Sequence, residues 1–599
     1  MCGISGWMGS VSIPLDDKFF CEKSLDMLAH RGPDGKGLWV ESQKRAVLCH
    51  TRLAIIGLGD SGTQPMCCVG GKWYIVFNGE IYNYMDLKKE LSYYGYDFRT
   101  KTDTEVLAAS VDKWGVAAFS KFRGMYAVAL WNNIKSEGYL ARDPFGIKPL
   151  YIKKHSGGLF FCSELRPLIK MLGNNNFLNY TAVAAYLATG SVPEPLTMVS
   201  GIETLKPGAV LHIYEGNINL AFQSEVDYKS NTGEDIDGDA YALRRAFTES
   251  VKAHLVSDVP VGLFLSGGID SSCIAAALSD LGKKDTTCFN ISFNIPQFDE
   301  SDEAVRTADY FGLKFHNSKI SKQQGWELFE EYKQYLDQPT IDGFNTFTIS
   351  RIASSSGHKV VMSGVGGDEL FGGYKTFQVL PKLINFTRNH PCLTRQLGPF
   401  LNFLDVPKAR RLADMFLCGG NVGAIYRSYR GIFSEFEVCK IMNLLDKTGS
   451  FHNWKSYTDR TEERGTLMET ISELEIKKYM LNQLLRDSDV MSMANQIELR
   501  VPFLDTFLFK KIVKIPPEKR YLAGKKTLVR AFPELPSWVV RAPKKGFLFP
   551  IQHWLKDSFN KKRSWISEKS GVYVKTWYRL FALLTLESWM AKNLDLKEN

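Results

Sequence analysis

Short apolar runs separated by glycine and asparagine turns dominate the chain from residue 39 to residue 161. Each run has the length and the β-branched or aromatic content of a strand, and helical sequence stands between only some of the runs. This pattern predicts an α+β domain whose strands pair mostly antiparallel. The predicted strands are residues 46–48, 73–77, 125–131, 138–142 and 159–162.

The pattern changes after a polar segment. Residues 229–239 read KSNTGEDIDGD and hold no apolar residue except Ile236, so this segment cannot contribute to a core. Apolar residues then recur at four-residue spacing from Leu243 to Leu255, which predicts a helix. Three apolar strands follow at 261–265, 287–293 and 359–362, separated by helical sequence, and they predict a parallel sheet covered on both faces.

These patterns divide the chain into two domains. We expect the first domain over residues 2–215, a linker over 216–239 and the second domain over 240–599. From Tyr374 onward the sequence is mostly helical, so the parallel sheet is expected to carry a helical C-terminal part.

The composition is that of an ordinary globular protein. The 599 residues are 44% hydrophobic and 23% charged, which excludes general disorder. The net charge of +9 is spread along the chain, and this favours anionic small substrates over nucleic acid. No apolar run approaches the roughly 18 residues of a membrane span. No CxxC pair occurs among the 11 cysteines, so we expect a reducing, cytoplasmic location without membrane insertion.

The first chemical signal is the cysteine at position 2. A small residue there permits removal of Met1, which would leave Cys2 with a free α-amine. Because an α-amine has a pKa of about 7.7 to 8.0, it can accept the thiol proton near neutral pH. Nucleophile and base would then belong to one residue.

The second signal is a glycine turn between a predicted buried strand and a helix, SGGIDSS at 266–272. Backbone N–H groups of such a turn and the positive end of the helix form an anion site, to which Ser266, Ser271 and Ser272 can add hydroxyls. The turn lacks the Lys-Ser/Thr pair of a Walker loop. A second loop, SGVGGDELFGGY at 363–374, also follows an apolar strand, and its five glycines predict close approach of backbone to a ligand.

Four motifs in the first half resemble, in order and spacing, the glutaminase domain of class II amidotransferases of the N-terminal-nucleophile type. The loop at 266–272 resembles the pyrophosphate loop of ATP pyrophosphatases. Together with SMA at 492–494 and ELRVPFLD at 498–505, they identify the chain as similar to the glutamine-hydrolysing asparagine synthetase family. The four motifs are RGPDG at 31–35, RLAII at 52–56, NGEIYN at 78–83 and TDTE at 102–105.

The resemblance implies an αββα glutaminase sandwich followed by an α/β parallel-sheet ATP pyrophosphatase domain, and the family commonly forms homodimers. In the glutaminase, Cys2 would be the nucleophile, and Asn78 with the Gly79 N–H would form the oxyanion hole. Arg52 would hold the glutamine α-carboxylate and Asp103 its ammonium. Glu80 and Ile55 complete the implied glutamine-binding set. Read alone, Asn78-Gly79 after an apolar run is instead a strong hairpin-turn signal.

In the second domain the resemblance implies splitting of ATP to AMP and pyrophosphate through an acyl-adenylate, with Mg²⁺ held by Asp270 and Asp368. Ammonia from glutamine would reach the adenylate through an apolar tunnel. Lys526 is assigned to the phosphate charge as a catalytic residue, with Lys525 as the alternative by one position. The implied ATP-binding residues are Leu265, Ser266, Gly267, Gly268, Asp270, Ser271, Ser272, Ile291, Ser363 and Gly364.

One position departs from the family pattern. Val365 stands where typical asparagine synthetases carry an acidic residue on the acceptor side of the site. Either a neighbour such as Glu369 or Glu498 compensates and aspartate is the acceptor, or another carboxylate is amidated, such as a uronic acid in surface polysaccharide synthesis. A cyclase resembling β-lactam synthetase is disfavoured, because it would need no working glutaminase.

Overall fold

The computed structural model describes residues 2–173, 177–224, 226–227, 240–293, 295–404, 406–542, 550, 563–572, 574 and 576–594. Two six-stranded antiparallel sheets form the first part of the chain. The first sheet has the order β10 (Glu203–Thr204), β8 (Tyr151–His155), β9 (Gly158–Cys162), β1 (Gly3–Gly9), β3 (Ala46–Arg52), β2 (Gly35–Val40). The second has the order β12 (Asn217–Gln223), β11 (Ala209–Tyr214), β7 (Glu137–Arg142), β6 (Gly124–Asn132), β5 (Trp73–Ile81), β4 (Met66–Cys68).

The two sheets pack face to face and are covered by helices on their outer sides. Met8 and Leu48 of the first sheet meet Val76, Trp131 and Leu140 of the second in one buried apolar cluster. The predicted αββα sandwich is therefore confirmed. The helices of this part are α1 (Asp17–Met27), α2 (Tyr84–Tyr93), α3 (Asp103–Trp114), α4 (Ala118–Lys121), α5 (Leu165–Met171) and α6 (Tyr180–Thr189).

The first domain extends beyond its expected end at residue 215. Residues 217–223, which were assigned to the linker, form β12 and pair with β11 along their length. Ile218, Phe222 and Gln223 of this segment are half-buried and its other residues are exposed, in keeping with its position at the edge of the sheet. Residues 228–239, which include the polar segment at 229–239 and the end of the linker expected over 216–239, lie outside the described residues.

A parallel sheet of five strands forms the core of the second part, as the alternation of strand and helix predicted. Its order is β15 (Lys314–Ile320), β14 (Thr287–Phe293), β13 (Val261–Phe264), β16 (Val360–Met362), β17 (Glu498–Arg500). Helices α7 (Ala240–Ala253), α8 (Ile269–Asp280) and α9 (Ser301–Phe311) lie on one face and α11 (Phe344–Ser355) on the other. The two glycine loops follow the neighbouring strands β13 and β16, so they lie at the same edge of the sheet.

The chain beyond this edge is mostly helical, as expected. Among the described residues no helix has the length and apolar character needed to cross a membrane. The last helix, α26 (Trp577–Asn593), packs between the two parts: Trp589 Nε1 donates to the Asp337 carbonyl at 2.9 Å, and the Tyr186 hydroxyl donates to the Ala582 carbonyl at 2.9 Å.

The remaining helices are α10 (Lys322–Tyr332), α12 (Gly367–Phe371), α13 (Thr376–Asn389), α14 (Pro391–Phe403), α15 (Pro407–Leu417), α16 (Val422–Arg430), α17 (Glu435–Leu445), α18 (Lys455–Thr458), α19 (Leu467–Leu474), a π-helix (Glu475–Leu485), α20 (Arg486–Met493), α21 (Thr506–Ile512), α22 (Pro517–Arg520), α23 (Lys526–Ala531), α24 (Ser537–Arg541) and α25 (Trp565–Ser570).

Candidate active sites

The first candidate site is a small pocket at the start of β1, beside Cys2. It is enclosed by the ends of β3 and β5 and by the first turn of α3. Six of the seven residues predicted for nucleophile, oxyanion hole and glutamine binding line this one pocket: Cys2, Arg52, Ile55, Gly79, Glu80 and Asp103. The seventh, Asn78, touches Cys2 directly.

Asn78 is fully buried next to the nucleophile candidate. Its Oδ1 accepts a hydrogen bond from the Cys2 backbone nitrogen at 3.2 Å, whereas its Nδ2 has no hydrogen-bond partner among the described residues. A buried amide donor without a partner is costly and rare. This Nδ2 is therefore a donor available to a bound group at Cys2.

The Asn78-Gly79 pair is not a hairpin turn, although the pair taken alone carries a turn signal. Both residues lie inside β5, opposite Ala127 and Tyr126 of β6. A Cβ on Gly79 would stand 2.1 Å from the Met125 carbonyl oxygen. Glycine is required here because the neighbouring strand approaches closely, and the tertiary pairing overrides the local turn preference.

Two carboxyl groups and one guanidinium of the first part of the chain also line this pocket: Asp103, Glu80 and Arg52. Asp103 Oδ2 accepts from the Ile81 N–H at 2.9 Å, and burial raises the pKa of Asp103 to about 6. Burial, followed by the charge of Asp103, raises the pKa of Glu80. Burial also raises the pKa of the Cys2 thiol. Arg52 lies at the rim, where its guanidinium donates to the Gly59 carbonyl at 2.7 Å.

The second part of the chain reaches into this pocket through β17, which the sequence analysis missed. Glu498 lines the pocket, and buried Arg500 donates to Glu498 Oε1 at 2.6 Å and to Glu80 Oε2 at 3.0 Å. The Arg500 carbonyl accepts from the Ser363 N–H at 2.9 Å. The motif at 498–505 identified these residues as part of a family pattern. No signal in the linear sequence placed them beside Cys2.

This contact yields a stability prediction. We expect Arg500→Met to destabilise the fold by about 3–5 kcal/mol, because it removes the guanidinium that is hydrogen-bonded to the buried Glu498 carboxylate. Arg500 also lowers the pKa of Glu498, so this carboxylate is ionised in the native protein. The denaturation midpoint in urea checks the prediction. The double variant Arg500→Met/Glu498→Gln should recover part of the loss, and an unchanged midpoint in Arg500→Met would contradict it.

The second candidate site forms where the loops after β13 and β16 meet. The turn at 266–268 is held by its own serines: Ser266 Oγ lies 3.0 Å from Ser271 Oγ and accepts from the Gly268 N–H at 3.3 Å. Helix α8 begins directly after this turn. No side chain caps the N–H groups of its first turn. Ser272 Oγ donates to the Gly268 carbonyl at 2.8 Å.

Asp270 and Asp368 converge on a single lysine between the two loops. The Nζ of Lys525 lies 2.6 Å from Asp270 Oδ1 and 2.5 Å from Asp368 Oδ1. A Cβ on Gly367 would stand 2.4 Å from Asp270 Oδ1, and one on Gly373 would stand 1.9 Å from Asp368 Oδ1. The glycines of the second loop are therefore needed for the two carboxylates to approach each other.

The lysine at this site is Lys525 and not Lys526, which corrects the assignment made from the sequence. Lys525 is buried in a left-handed backbone conformation, whereas Lys526 is exposed on the first turn of α23. The two carboxylates raise the pKa of Lys525, against the effect of burial. Two adjacent lysines look alike in a sequence, and only the fold, through the backbone turn at Lys525 and the two carboxylates it meets, decides which one points inward.

The other predicted nucleotide-site residues lie around the same edge of the sheet. Leu265 is buried and its N–H donates to the Phe289 carbonyl of β14 at 3.0 Å. Ile291 is fully buried in β14, opposite Ser318 of β15. A Cβ on Gly364 would stand 2.9 Å from the Asp270 Cβ, so the two loops are in direct contact. Gly267 borders α9, where its Cβ would lie 2.7 Å from that of Glu303.

The comparisons with known proteins match the two parts of the chain to two families. Residues 1–224 match the glutamine amidotransferase domain family and residues 242–582 match the asparagine synthase family. Asparagine synthetase [glutamine-hydrolyzing] 1 of Bacillus subtilis is 33% identical, over 99% of this chain and 94% of its own length. A putative asparagine synthetase of Mycobacterium bovis is 32% identical over 89% of this chain and 84% of its own length.

Two other matches are more remote. Amidase chry2 of Gibberella zeae is 28% identical over 96% of this chain and 92% of its own length. The structure of glutamine phosphoribosylpyrophosphate amidotransferase from B. subtilis is 17% identical with a TM-score of 0.29, over 53% of this chain and 65% of that one.

The pocket at Cys2, the glycine loops and the family matches define an ATP-dependent carbon–nitrogen ligase that takes its nitrogen from glutamine. The chain belongs to the asparagine synthetase family.

Proposed function

We propose that this protein is a glutamine-dependent asparagine synthetase, which converts aspartate, ATP and glutamine into asparagine, glutamate, AMP and pyrophosphate. The observation that carries the proposal is Arg500, whose side chain binds Glu80 in the Cys2 pocket and whose carbonyl binds Ser363 at the second loop. Arg500 thus contacts both candidate sites. Such an enzyme uses common metabolite pools, in keeping with the cytoplasmic location expected above.

In the first half, Cys2 attacks the glutamine side-chain amide after Met1 has been removed. Burial raises the pKa of its thiol, so a base must take the proton, and the α-amine of Cys2 would be that base. The unpartnered Nδ2 of Asn78 and the Gly79 N–H would stabilise the developing oxyanion. Asp103 and Glu80 would bind the glutamine ammonium, and Arg52 its carboxylate, with Ile55 against the aliphatic chain.

In the second half, the turn at 266–268 and the first turn of α8 would hold the pyrophosphate part of ATP. Asp270 and Asp368 supply two hard oxygen ligands at one point, which fits Mg²⁺ completed by phosphate oxygens and water. Among the described residues there is no group of three or more His, Cys, Asp or Glu side chains that could hold a metal ion. When bound, Mg²⁺ would neutralise phosphate charge, and Lys525 would do the same from the protein side.

An apolar cluster supports the transfer of ammonia between the two sites. It includes Ile55, which lines the Cys2 pocket, and Leu265 and Leu370, which flank the two loops. Ammonia is the nucleophile only in its neutral form, so a water-poor passage would keep it unprotonated on its way to the adenylate.

The acceptor side differs from the family pattern at Val365, where an acidic side chain is missing. Glu369 and Glu498 are the two acids considered as its replacement. Glu498 is engaged with Arg500 beside Cys2, so it belongs to the glutaminase pocket. Glu369 accepts from the Tyr374 hydroxyl at 2.7 Å, and burial with the charge of Asp368 raises the pKa of Glu369 to about 7. We therefore take Glu369 as the acid that replaces the missing one.

A second candidate acceptor is another carboxylic acid, such as a uronic acid in surface polysaccharide synthesis. The observation that favours it is again Val365, because a valine cannot bind the aspartate ammonium. The relative from Gibberella zeae that is named an amidase, with 28% identity over 96% of this chain, shows that full-length similarity extends to proteins not named asparagine synthetases.

Pyrophosphate release with a panel of carboxylates tests the proposal. With glutamine and Mg-ATP, we expect aspartate to stimulate formation of AMP and pyrophosphate at least about tenfold over the rate without acceptor, since the adenylate must form before ammonia can react. Glucuronate is the matched alternative acceptor. Stimulation by glucuronate alone would support the second candidate, and release of ADP with inorganic phosphate would overturn the proposal altogether.

A further inference from the structure

Exposed apolar side chains are concentrated on the three helices that follow the second glycine loop, α13, α14 and α15. Of the 26 large apolar side chains that are exposed in the described part of the chain, nine lie between residues 379 and 417. Such a concentration indicates an interaction site, whereas single exposed apolar residues do not. The α13–α15 surface consists of these nine residues: Val379, Phe386, Leu393, Leu397, Phe400, Phe403, Leu404, Val406 and Leu417.

Helix α14 turns its apolar stripe toward solvent. Leu393, Leu397 and Phe400 recur at positions i, i+4 and i+7, which is the spacing of one face of a helix. Their exposed fractions are 45%, 38% and 62%, and Leu404 at the C-cap of the helix is 38% exposed. In most surface helices of a globular protein this stripe packs on the core. The stripe of α14 is instead available to a partner.

The face of α14 that is buried explains this orientation, because it is formed by the small residues Thr394 and Gly398. A Cβ on Gly398 would stand 2.6 Å from Leu417 Cδ2 of α15, so only glycine lets the two helices lie this close. The Thr394 hydroxyl donates to the His390 carbonyl at 3.2 Å within the same helix start. Because α15 packs on the small face, the leucine and phenylalanine side chains of α14 are left outside.

The charges of the same segment are mostly positive. Residues 375–417 contain seven Lys or Arg residues and two Asp residues. Asp414 is buried, and its Oδ2 accepts from the Glu435 N–H at 2.9 Å. Asp405 lies outside the described residues. The described residues of this segment therefore expose cations and no carboxylate.

Carboxylates from other elements neutralise two of the seven cations. Arg388 pairs with Glu463, and Arg410 lies 3.8 Å from Glu437. Each of the three helices also carries an exposed cation of its own: Lys382 on α13, Arg395 on α14 and Lys408 on α15. Exposed leucine and phenylalanine together with a group of four to eight cations are typical of helices that lie in the interface of an anionic lipid bilayer.

We infer that the α13–α15 surface docks on an anionic lipid membrane. The apolar side chains of α14 enter the boundary between headgroups and acyl chains, and the cations of the three helices are attracted to the headgroup charge. The contact is peripheral, since within the described ranges no helix is long and apolar enough to cross a bilayer. A second copy of the chain fits this surface less well, because self-association would bring like charges together.

Cosedimentation of the full-length protein with vesicles tests this inference. We expect the protein to pellet with vesicles that contain about 30% phosphatidylglycerol in phosphatidylcholine. Leu397→Gln/Phe400→Gln should lower the bound-to-free ratio at least about tenfold, because two apolar side chains no longer enter the lipid. Ile134→Gln/Tyr93→Gln is the matched control: it removes two exposed apolar side chains of the first domain and should bind as the unaltered protein does. Glutamine hydrolysis should be unchanged in both double variants, which shows that they are folded.

The charge contribution has a separate test on the same vesicles. Lys382→Gln/Arg395→Gln should lower binding about tenfold, and binding of the unaltered protein should weaken as the salt concentration rises. Absence of the protein from the anionic vesicle pellet, or equal binding by Leu397→Gln/Phe400→Gln, would overturn the inference. A dimer in analytical ultracentrifugation that Leu397→Gln/Phe400→Gln abolishes, without vesicle binding, would also overturn it and identify a second copy as the occupant.

Discussion

Cys2→Ala is expected to reduce glutamine-dependent amide formation by about 10³-fold or more, because it removes the nucleophile on which that half-reaction depends. Amide formation from added ammonia should stay within about twofold of the unaltered protein, since the loops at 266–272 and 363–374 do not include Cys2. The measurement is product formation with glutamine and with ammonium chloride as alternative nitrogen donors.

Cys2→Ser is the matched control for this substitution, because it replaces the thiol by a hydroxyl of similar size at the same position. It should lose glutamine hydrolysis nearly as completely while leaving the pocket filled. Glutamine-dependent product in Cys2→Ala, at a rate near that of the unaltered protein, would remove Cys2 from the mechanism and with it the assignment of the whole first pocket.

Lys525→Met is expected to lower pyrophosphate formation by about 10²- to 10³-fold with either nitrogen donor, because it removes a cation aimed at developing phosphate charge. Asp368→Asn should have a similar effect through the loss of one of the two converging carboxylates. Glutamine hydrolysis at Cys2 should persist in both variants, and it shows in the same samples that the chain is folded.

Lys526→Met is the control for Lys525→Met, since it changes the neighbouring residue by the same chemistry on the exposed face of α23. We expect its pyrophosphate formation to match that of the unaltered protein. If Lys526→Met were the inactive variant and Lys525→Met the active one, the site geometry described here would be wrong.

Several features of the protein follow from local sequence. Alternating apolar runs predicted the antiparallel sheets, and the change to strand and helix alternation predicted the parallel sheet, because both patterns depend on neighbours along the chain. The strand at 287–293 was predicted with the bounds of β14 itself. The glycine loops could be predicted too. Where the backbone must lie close to a ligand or a strand, the sequence is rich in glycine.

Tertiary structure decided what depends on distant residues. Asn78-Gly79 carries a turn signal, yet pairing with β6 keeps it in a strand. The choice between Lys525 and Lys526 depends on two carboxylates far away in sequence, Asp270 and Asp368. The approach of Arg500 to Glu80 joins residues 420 positions apart.

The sequence by itself determined the two kinds of chemistry. A nucleophile at position 2 and glycine turns after buried strands are local patterns, set by residue type and spacing. Only the tertiary structure decided how the two sites are connected and which charges pair. Ion pairing and burial depend on which elements pack together, and so the contact of Arg500 with Glu80 has no signature in the order of residues around either one.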